Sequence, residues 1–178
     1  AWFSAAVLVV LLAAALLAPW LSSVNTFDLG SLDVTDAHLP PAWTEEGDAR
    51  FWLGTDDQGR DLLSAILYGL RLSLSISLVS VALSIVIGVG LGVTAGFAGG
   101  WIGTVLMRVC DVMLSFPAIL VALLADGILR SAIPGAAHES VAYFVLIFAI
   151  TLSGWVPYAR TVRGLTLVEK GKEFVMAA

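Results

Sequence analysis

Four long apolar stretches constrain this chain more than any other feature of its sequence. They cover approximately residues 2–21, 71–97, 101–125 and 141–159. Each is long enough to cross a bilayer, because about 20 helical residues span the hydrocarbon core. Of the 178 residues, 59% are hydrophobic and 13% are charged, whereas soluble domains carry about 25% charged residues. The composition therefore predicts an all-α membrane protein with four transmembrane helices.

The placement of lysine and arginine predicts how these spans are oriented. Residues 22–61, between the first two spans, carry nine carboxylates against Arg50 and Arg60. The tail after the fourth span carries four cations, which are Arg160, Arg163, Lys170 and Lys172. Because loops rich in lysine and arginine stay in the cytoplasm, we expect residues 160–178 to be cytoplasmic and residues 22–70 to be external.

The polar segment before the second span contains a helix-start signal. Thr55 and Gln58 have the spacing of a capping box. The apolar positions that follow lie on one helical face, and they are Leu62, Leu63, Ile66, Leu67 and Leu70. Two alternatives are open: an amphipathic helix that lies on the membrane surface, or an N-terminal extension of the second span.

The ends of the sequence fall inside predicted helices. Ala1 leads directly into the first span, which has no basic flank, and Ala178 stops a pattern that resembles the first turn of a helix. We expect the chain to be truncated at both ends. Its parts are then residues 1–21, a first transmembrane helix; residues 22–70, an external acidic segment with an amphipathic interfacial helix; and residues 71–178.

Small residues repeat along the second span. Glycines stand at four positions four residues apart, which are Gly88, Gly92, Gly96 and Gly100. A glycine has no side chain, so the backbone of another helix can approach it closely. This repeat predicts helix packing, and we prefer that interpretation to a functional gate.

Two further features lie inside the spans. Arg108 and Asp111 are three residues apart and so share one face of the third span. Charges at membrane depth are costly and suggest function, but a mutually neutralising structural pair is the interpretation we favour over a role in the transport path. Pro117 and Pro157 each remove a backbone hydrogen bond and predict helix kinks.

Motifs for catalysis, metal binding and nucleotide binding are absent from the sequence. It contains no G-x-x-x-x-G-K-[ST], no H-E-x-x-H and no G-x-S-x-G. The single cysteine, Cys110, lies in an apolar run, and the two histidines have no cysteine or histidine neighbours. We therefore expect no catalytic residue, no metal site and no cofactor on this chain, which is not expected to be an enzyme.

Three stretches carry a resemblance to a known family. They are "FWLGTDDQGRDLLSAILYGLRLSLSISLV", "GVGLGVTAGFAGGWIGTVLMRVCDVMLSFPAIL" and "GWVPYARTVRGLTLVEKGKEFVMAA". In order and spacing they resemble the inner-membrane permeases of ABC importers, and most of all the dipeptide/oligopeptide/nickel family. The resemblance covers nearly the whole chain and is weakest in the first span and the second external loop.

The resemblance implies a fold, a location and a set of partners. The fold is that of a type I ABC importer permease with six spans, of which four are present, in the cytoplasmic (inner) membrane of a prokaryote. Residues 71–178 correspond to the N-terminal part of the ABC transmembrane type-1 domain and end inside its cytoplasmic coupling loop. The partners are a second homologous permease, two ATPase subunits that bind ATP and Mg, and an external substrate-binding protein. No nucleic acid is implied.

The same resemblance implies an ATPase-docking segment after the fourth span. In the family this loop carries a Glu-Ala-Ala-x-x-x-Gly signature, and "FVMAA" aligns Ala177 and Ala178 with the two alanines. Met176 stands at the glutamate position, which departs from the signature. The docking residues implied are Lys170, Lys172, Glu173, Phe174, Val175, Met176, Ala177 and Ala178.

The resulting hypothesis is a permease subunit of an ATP-driven importer for peptides or a similar small solute. One alternative is a non-transporting membrane anchor or assembly subunit, which would not require a small-residue helix after the fourth span. The other is an ion-coupled secondary transporter, which would need inverted repeats and several acids at the bilayer midplane.

Overall fold

A computed structural model describes residues 2–22, 34–132 and 138–172 of the chain. These residues form five α-helices and one short 3₁₀ turn at Val34–Asp36. The helices are α1 (Trp2–Leu21), α2 (Leu62–Ala98), α3 (Gly100–Ser115), α4 (Ala118–Ala132) and α5 (His138–Lys170). The chain divides into two compact units, Ala1–Ser75 and Ile76–Ala178.

Most of the helical sequence is long and apolar enough to cross a membrane. Three segments qualify alone, which are Trp2–Leu21, Leu62–Ala98 and Val141–Lys170. A fourth qualifies only as a bent pair, Gly100–Ser115 with Ile119–Ile128. The described residues thus contain three candidate spans, or four if the bent pair is one span, and the prediction of an all-α membrane protein is confirmed.

The predicted third span is broken rather than continuous. α3 ends at Ser115, and Phe116 is extended with φ −94° and ψ 123°. A proline disfavours helical geometry in the residue before it, and Pro117 itself cannot donate a backbone hydrogen bond. The two helices of the pair differ in direction by 85°. The sequence predicted a kink at Pro117, and the structure shows a complete break of the helix.

Pro157 has a different effect from Pro117. α5 runs from His138 to Lys170 with Pro157 inside it. The carbonyl oxygen of Pro157 accepts a hydrogen bond from Thr161 Oγ1 at 2.9 Å. α5 is thus continuous at Pro157, unlike the helix at Pro117, and the predicted kink at Pro157 stays a prediction.

The start of α2 differs from the sequence prediction. Thr55 and Gln58 do not form a capping box, because the helix begins seven residues later, at Leu62. Asp61 caps it, accepting hydrogen bonds from the backbone N–H of Leu63 at 3.3 Å and of Ser64 at 3.1 Å. An aspartate at this position satisfies N–H groups that have no partner inside the helix. α2 continues past Gly69 unbroken, which corresponds to the second of the two alternatives, an extension of the span.

Residues 34–61 form a folded segment within the first unit. The backbone N–H of Thr55 donates to the carbonyl of Leu39 at 3.0 Å, and its hydroxyl accepts from Leu39 N–H at 2.8 Å. Further along, Ala42 N–H donates to the Trp52 carbonyl at 3.3 Å. Phe51 is 8% exposed. The guanidinium carbon of Arg50 lies over the Phe51 ring, 4.9 Å from the centre of that ring. The segment thus has its own hydrogen bonds and a small apolar centre.

Two carboxylates in this segment are held in the ionised form. The Arg50 side chain, 2.7 Å from Asp48, lowers the pKa of that carboxyl group below its usual value. Burial opposes ionisation of Asp56, but hydrogen bonds from the backbone N–H groups of Arg60 and Gln58 and from the Arg60 side chain outweigh it, so its pKa is also lowered. A lowered pKa contributes stability that is present above the ordinary value of 3.8 and is lost as pH falls through the folded value.

Asp56→Asn is expected to loosen this segment, because the amide cannot form the 2.7 Å ion pair with Arg60 Nε. Hydrogen bonds to charged groups contribute about 1.5–3 kcal/mol each, and partial exposure reduces the expected loss to about 1 kcal/mol. Hydrogen exchange of the Thr55 and Arg60 amides measures the effect. Asp57→Asn is the matched control, because Asp57 is exposed. Equal exchange rates in the two variants would contradict the prediction. Lowering the pH through the folded pKa of Asp56, which lies below 3.8, should reproduce the Asp56→Asn result in the natural chain.

The core of the second unit lies among α2, α3 and α5. Its buried centre consists of Cys110 from α3 and Trp155, Val156 and Ala159 from α5. Leu91 from α2 packs against this centre, as do Met107 and Met113 from α3. Cys110 is a free, fully buried thiol, which agrees with a role in packing.

Candidate functional site: the α2–α5 interface and the end of α5

Close contact between α2 and α5 depends on three glycines. A Cβ atom placed on Gly88 would lie 2.6 Å from the Trp155 carbonyl oxygen, and one on Gly92 would lie 2.6 Å from that of Ala159. A Cβ on Gly96 would lie 2.6 Å from Thr166 Cβ. Real Cβ atoms do not approach other atoms this closely, so only glycine fits at these positions.

The glycines continue a longer face of α2 that is buried. Its members recur every four residues, and they are Ile76, Ser80, Ser84, Gly88, Gly92 and Gly96. Ser84 lies opposite another glycine, since a Cβ on Gly154 would be 2.8 Å from Ser84 Oγ. Small residues at this spacing let two membrane helices pack through their backbones. The structure therefore makes α2 and α5 a closely packed pair.

Gly100 does not belong to this packed face. It has a φ of 49° and follows Gly99, which has a φ of 60°, and no atom lies within 4 Å of a Cβ built on either. Positive φ is costly for residues with a Cβ. The sequence assigned Gly100 to helix packing, and in the structure it is the first residue of α3, directly after the turn at Gly99. Gly103 is the glycine of α3 that packs closely against α2, since a Cβ built on it would lie 2.6 Å from the Ala95 carbonyl oxygen.

Asp111 is the centre of a charged cluster between α3 and α5. Its carboxylate accepts a hydrogen bond from Arg160 and forms an ion pair with it. Arg108 Nη1 is 3.9 Å from the other carboxylate oxygen, and the Arg108 side chain is 81% exposed. The sequence predicted Arg108 as the partner of Asp111. The structure gives the close contact to Arg160 and leaves Arg108 at the edge of the ion-pair range.

The last turn of α5 is bound to the end of α2. Lys170 Nζ donates a hydrogen bond to the Phe97 carbonyl oxygen at 2.6 Å and lies 5.2 Å from the centre of the Phe97 ring. A cation near the C-terminus of a helix satisfies its last carbonyl groups and interacts favourably with the helix dipole. Lys172 pairs with Glu169 at 2.6 Å. Of the eight implied docking residues, these two lysines lie within the described part of the chain, and residues 173–178 lie outside it.

An apolar cavity of about 530 Å³ lies beside α2 and α5. Its lining is hydrophobic except for Thr151, and it includes Leu83, Ile87, Phe148 and Trp155. A peptide carries a charge at each end, and burying such a charge without a partner is costly. The cavity offers no charged group, so it is unsuited to hold a peptide.

Comparison with known proteins connects these helices to membrane transport. The di/tripeptide transport system permease of Pseudomonas aeruginosa (strain UCBPP-PA14) is 37% identical over 165 residues, which are 92% of this chain and 50% of that protein. The dipeptide transport system permease of Escherichia coli (strain K12) is 39% identical over 171 residues, 96% of this chain and 52% of that protein. Over nearly all of its length this chain is therefore similar to the peptide and nickel permeases of ABC importers. The nickel transport system permease of the same strain is 30% identical over 152 residues, 85% of this chain and 49% of that protein.

The chain spans about half the length of these curated relatives. No protein-family profile matches it. The resemblance found in the sequence to peptide and nickel permeases is confirmed by the identities. The identities and names of these relatives do not show an ATPase contact or a substrate for this chain.

Two contacts between helices were not predicted from the sequence. Arg160 stands 49 residues from Asp111, and Lys170 stands 73 residues from Phe97. Local spacing cannot reveal pairs this distant. The sequence did contain a partial indication of the Arg160 contact. Asp111 is one carboxylate, and both Arg108 and Arg160 lie near the same end of the spans.

Proposed function

We propose that this chain is a permease subunit of an ATP-driven importer that moves peptides, or a similar small solute, across the cytoplasmic membrane. The observation that carries the proposal is its similarity, over 92% and 96% of its residues, to two permeases of peptide transport systems. Relatives are also named for oligopeptides, nickel and glutathione, so peptides are the leading substrate class among several.

The proposed partners follow from the family. A second, homologous permease completes the pathway, two ATPase subunits supply the energy, and an external protein delivers the substrate. ATP and Mg belong to the ATPase chains. The cationic end of α5 supports a cytoplasmic position for residues 160–172, and residues 22–70 are then external.

The proposed coupling route runs through the end of α5. Lys170 is bonded to the last turn of α2, and Gly92 and Gly96 fix α2 against the same part of α5. A force applied to the segment after Lys170 would therefore reach two helices together. In this proposal the ATPase acts on that segment, with Ala177 and Ala178 providing the small surface for docking.

Uptake by the reconstituted importer tests the proposal. The full-length protein, its partner permease and the two ATPases are placed in proteoliposomes with the external binding protein. We expect ATP-dependent accumulation of a labelled dipeptide, with nickel and glutathione as parallel substrates. Accumulation of none of these, by an assembled complex that hydrolyses ATP, would overturn the import function.

Replacing Ala178 with arginine is expected to uncouple ATP hydrolysis from uptake. A long charged side chain does not fit a site built for a small one, and an unpaired charge at an interface is costly. We expect dipeptide uptake per ATP hydrolysed to fall at least about tenfold, because a loss of only about 1.4 kcal/mol of docking free energy already weakens the contact tenfold. Ala178→Ser keeps the residue small and is the control. Normal coupling in the arginine variant would contradict the docking assignment.

A further inference from the structure

The junction between α1 and α2 fixes the folded segment 34–61 at the membrane boundary. α1 has 20 residues and is about 30 Å long, which equals the thickness of the bilayer core. Ser22 follows directly, and its hydroxyl donates to Ser64 Oγ at 2.7 Å. The first turn of α2 is therefore held beside the last turn of α1, at the level where the hydrocarbon core ends.

The folded segment is attached to this junction by its last residues. Ser64 Oγ donates to the Asp61 carboxylate, and Leu62 N–H donates to the Gly54 carbonyl at 3.1 Å. Thr55 and Asp61 form an antiparallel bridge. Residues 54–61 thus contact the start of a candidate membrane span, and the segment cannot extend far from the lipid boundary.

Two tryptophans in this segment remain exposed. Trp43 is 68% and Trp52 is 69% exposed. Their backbones lie close together, because the N–H of Ala42, next to Trp43 in the chain, donates to the Trp52 carbonyl. Two large aromatic side chains that stay in water do not gain the free energy that burial of their apolar surface would give. Tryptophan is enriched where a membrane meets water, since its ring is apolar and its indole N–H can bond to headgroups.

The charge of the segment indicates which lipids suit it. Residues 34–61 contain seven carboxylates against Arg50 and Arg60, and Glu45 and Glu46 are exposed close to Trp43. Anionic lipids would be repelled by this surface. A zwitterionic headgroup layer would accept the tryptophan rings without this repulsion.

We propose that Trp43 and Trp52 anchor the folded segment 34–61 in the zwitterionic headgroup layer next to the C-terminal end of α1. The anchor keeps the segment flat against the membrane. It is independent of the transported solute, because it depends only on the two membrane helices and the segment between them.

Fluorine NMR on the full-length protein labelled with 5-fluorotryptophan tests the anchor. The protein is placed in nanodiscs of phosphatidylcholine, and Trp43→Phe and Trp52→Phe variants assign the two signals by their loss. A nitroxide attached near the lipid headgroup should broaden both signals as strongly as that of Trp20, which is 82% exposed at the end of α1. The same nanodiscs with the nitroxide chemically reduced are the control, in which all tryptophan signals should stay sharp.

A water-soluble gadolinium chelate provides the opposing measurement. Signals of Trp43 and Trp52 that are broadened by the chelate and unaffected by the nitroxide would overturn the proposal. If added external binding protein then removed the broadening by the chelate, the two rings would form a protein-docking surface instead. Signals unaffected by either probe would place the rings inside protein and would also overturn it. Replacing half of the lipid with phosphatidylglycerol should weaken the nitroxide effect, and an unchanged effect would contradict the charge argument.

Discussion

Asp111→Asn alone is expected to destabilise the protein more than Asp111→Asn combined with Arg160→Gln. The single change leaves the Arg160 guanidinium without the carboxylate that it binds, so its charge is no longer compensated within the protein. Removing one partner of a buried pair costs about 3–5 kcal/mol. Because the two side chains are 53% and 43% exposed, we expect a smaller loss of about 1 kcal/mol.

A double-mutant cycle measures this coupling. Unfolding of the detergent-solubilised protein is followed for both single variants and for the double variant, which should recover much of the lost stability. Arg108→Gln is the control and should cost much less, since Arg108 is 3.9 Å from Asp111 and 81% exposed. Additive losses in the Asp111 and Arg160 variants would show that the pair is not coupled. A larger loss from Arg108→Gln than from Arg160→Gln would show that Arg108 is the true partner.

Gly92→Ala is expected to force α2 and α5 apart. The new methyl group would lie 2.6 Å from the Ala159 carbonyl oxygen and 2.9 Å from Val162 Cβ. The first of these is a backbone atom, so a side-chain rotation cannot relieve the clash. Overpacking of a closely packed interface costs about 1–3 kcal/mol, and transport should fall with it.

Gly90→Ala isolates the packing effect. No atom lies within 4 Å of a Cβ on Gly90, which stands in the same helix two residues away. Both substitutions gain about 1 kcal/mol of helix propensity, so the difference between them reports the contact with α5 alone. Thermal unfolding and dipeptide uptake of the two variants, measured together, check the prediction. Identical behaviour of the two alanines would refute the close approach.

Features encoded locally in the sequence were predictable. Long apolar runs predicted the all-α membrane fold, because the length and polarity of a span depend on its own residues. The four-residue spacing of Gly88, Gly92 and Gly96 placed them on one helical face, where α5 contacts them. Gly100 has the same spacing, but the helix ends before it and the repeat no longer defines a face.

Features that depend on competition or on distant contacts were not predictable. Thr55 matched a capping pattern, yet its hydroxyl bonds to Asp36 and Leu39 in the folded segment, and Asp61 caps the helix instead. Arg108 is closer to Asp111 in sequence, whereas helix packing brings Arg160 to it. The docking residues after Lys172 lie outside the described chain, so their assignment stays a prediction.

The break at Pro117 has a consequence for the surrounding lipid. The part of α2 assigned to the membrane, residues 71–97, is about 40 Å long, whereas α3 has 16 residues and is about 24 Å long. One exceeds and the other falls short of a hydrocarbon thickness of about 30 Å. Such hydrophobic mismatch is relieved by tilting a long helix and by thinning the bilayer around a short one. The leaflet beside Pro117 should therefore be locally compressed, and membranes of different thickness should shift the angle between α3 and α4.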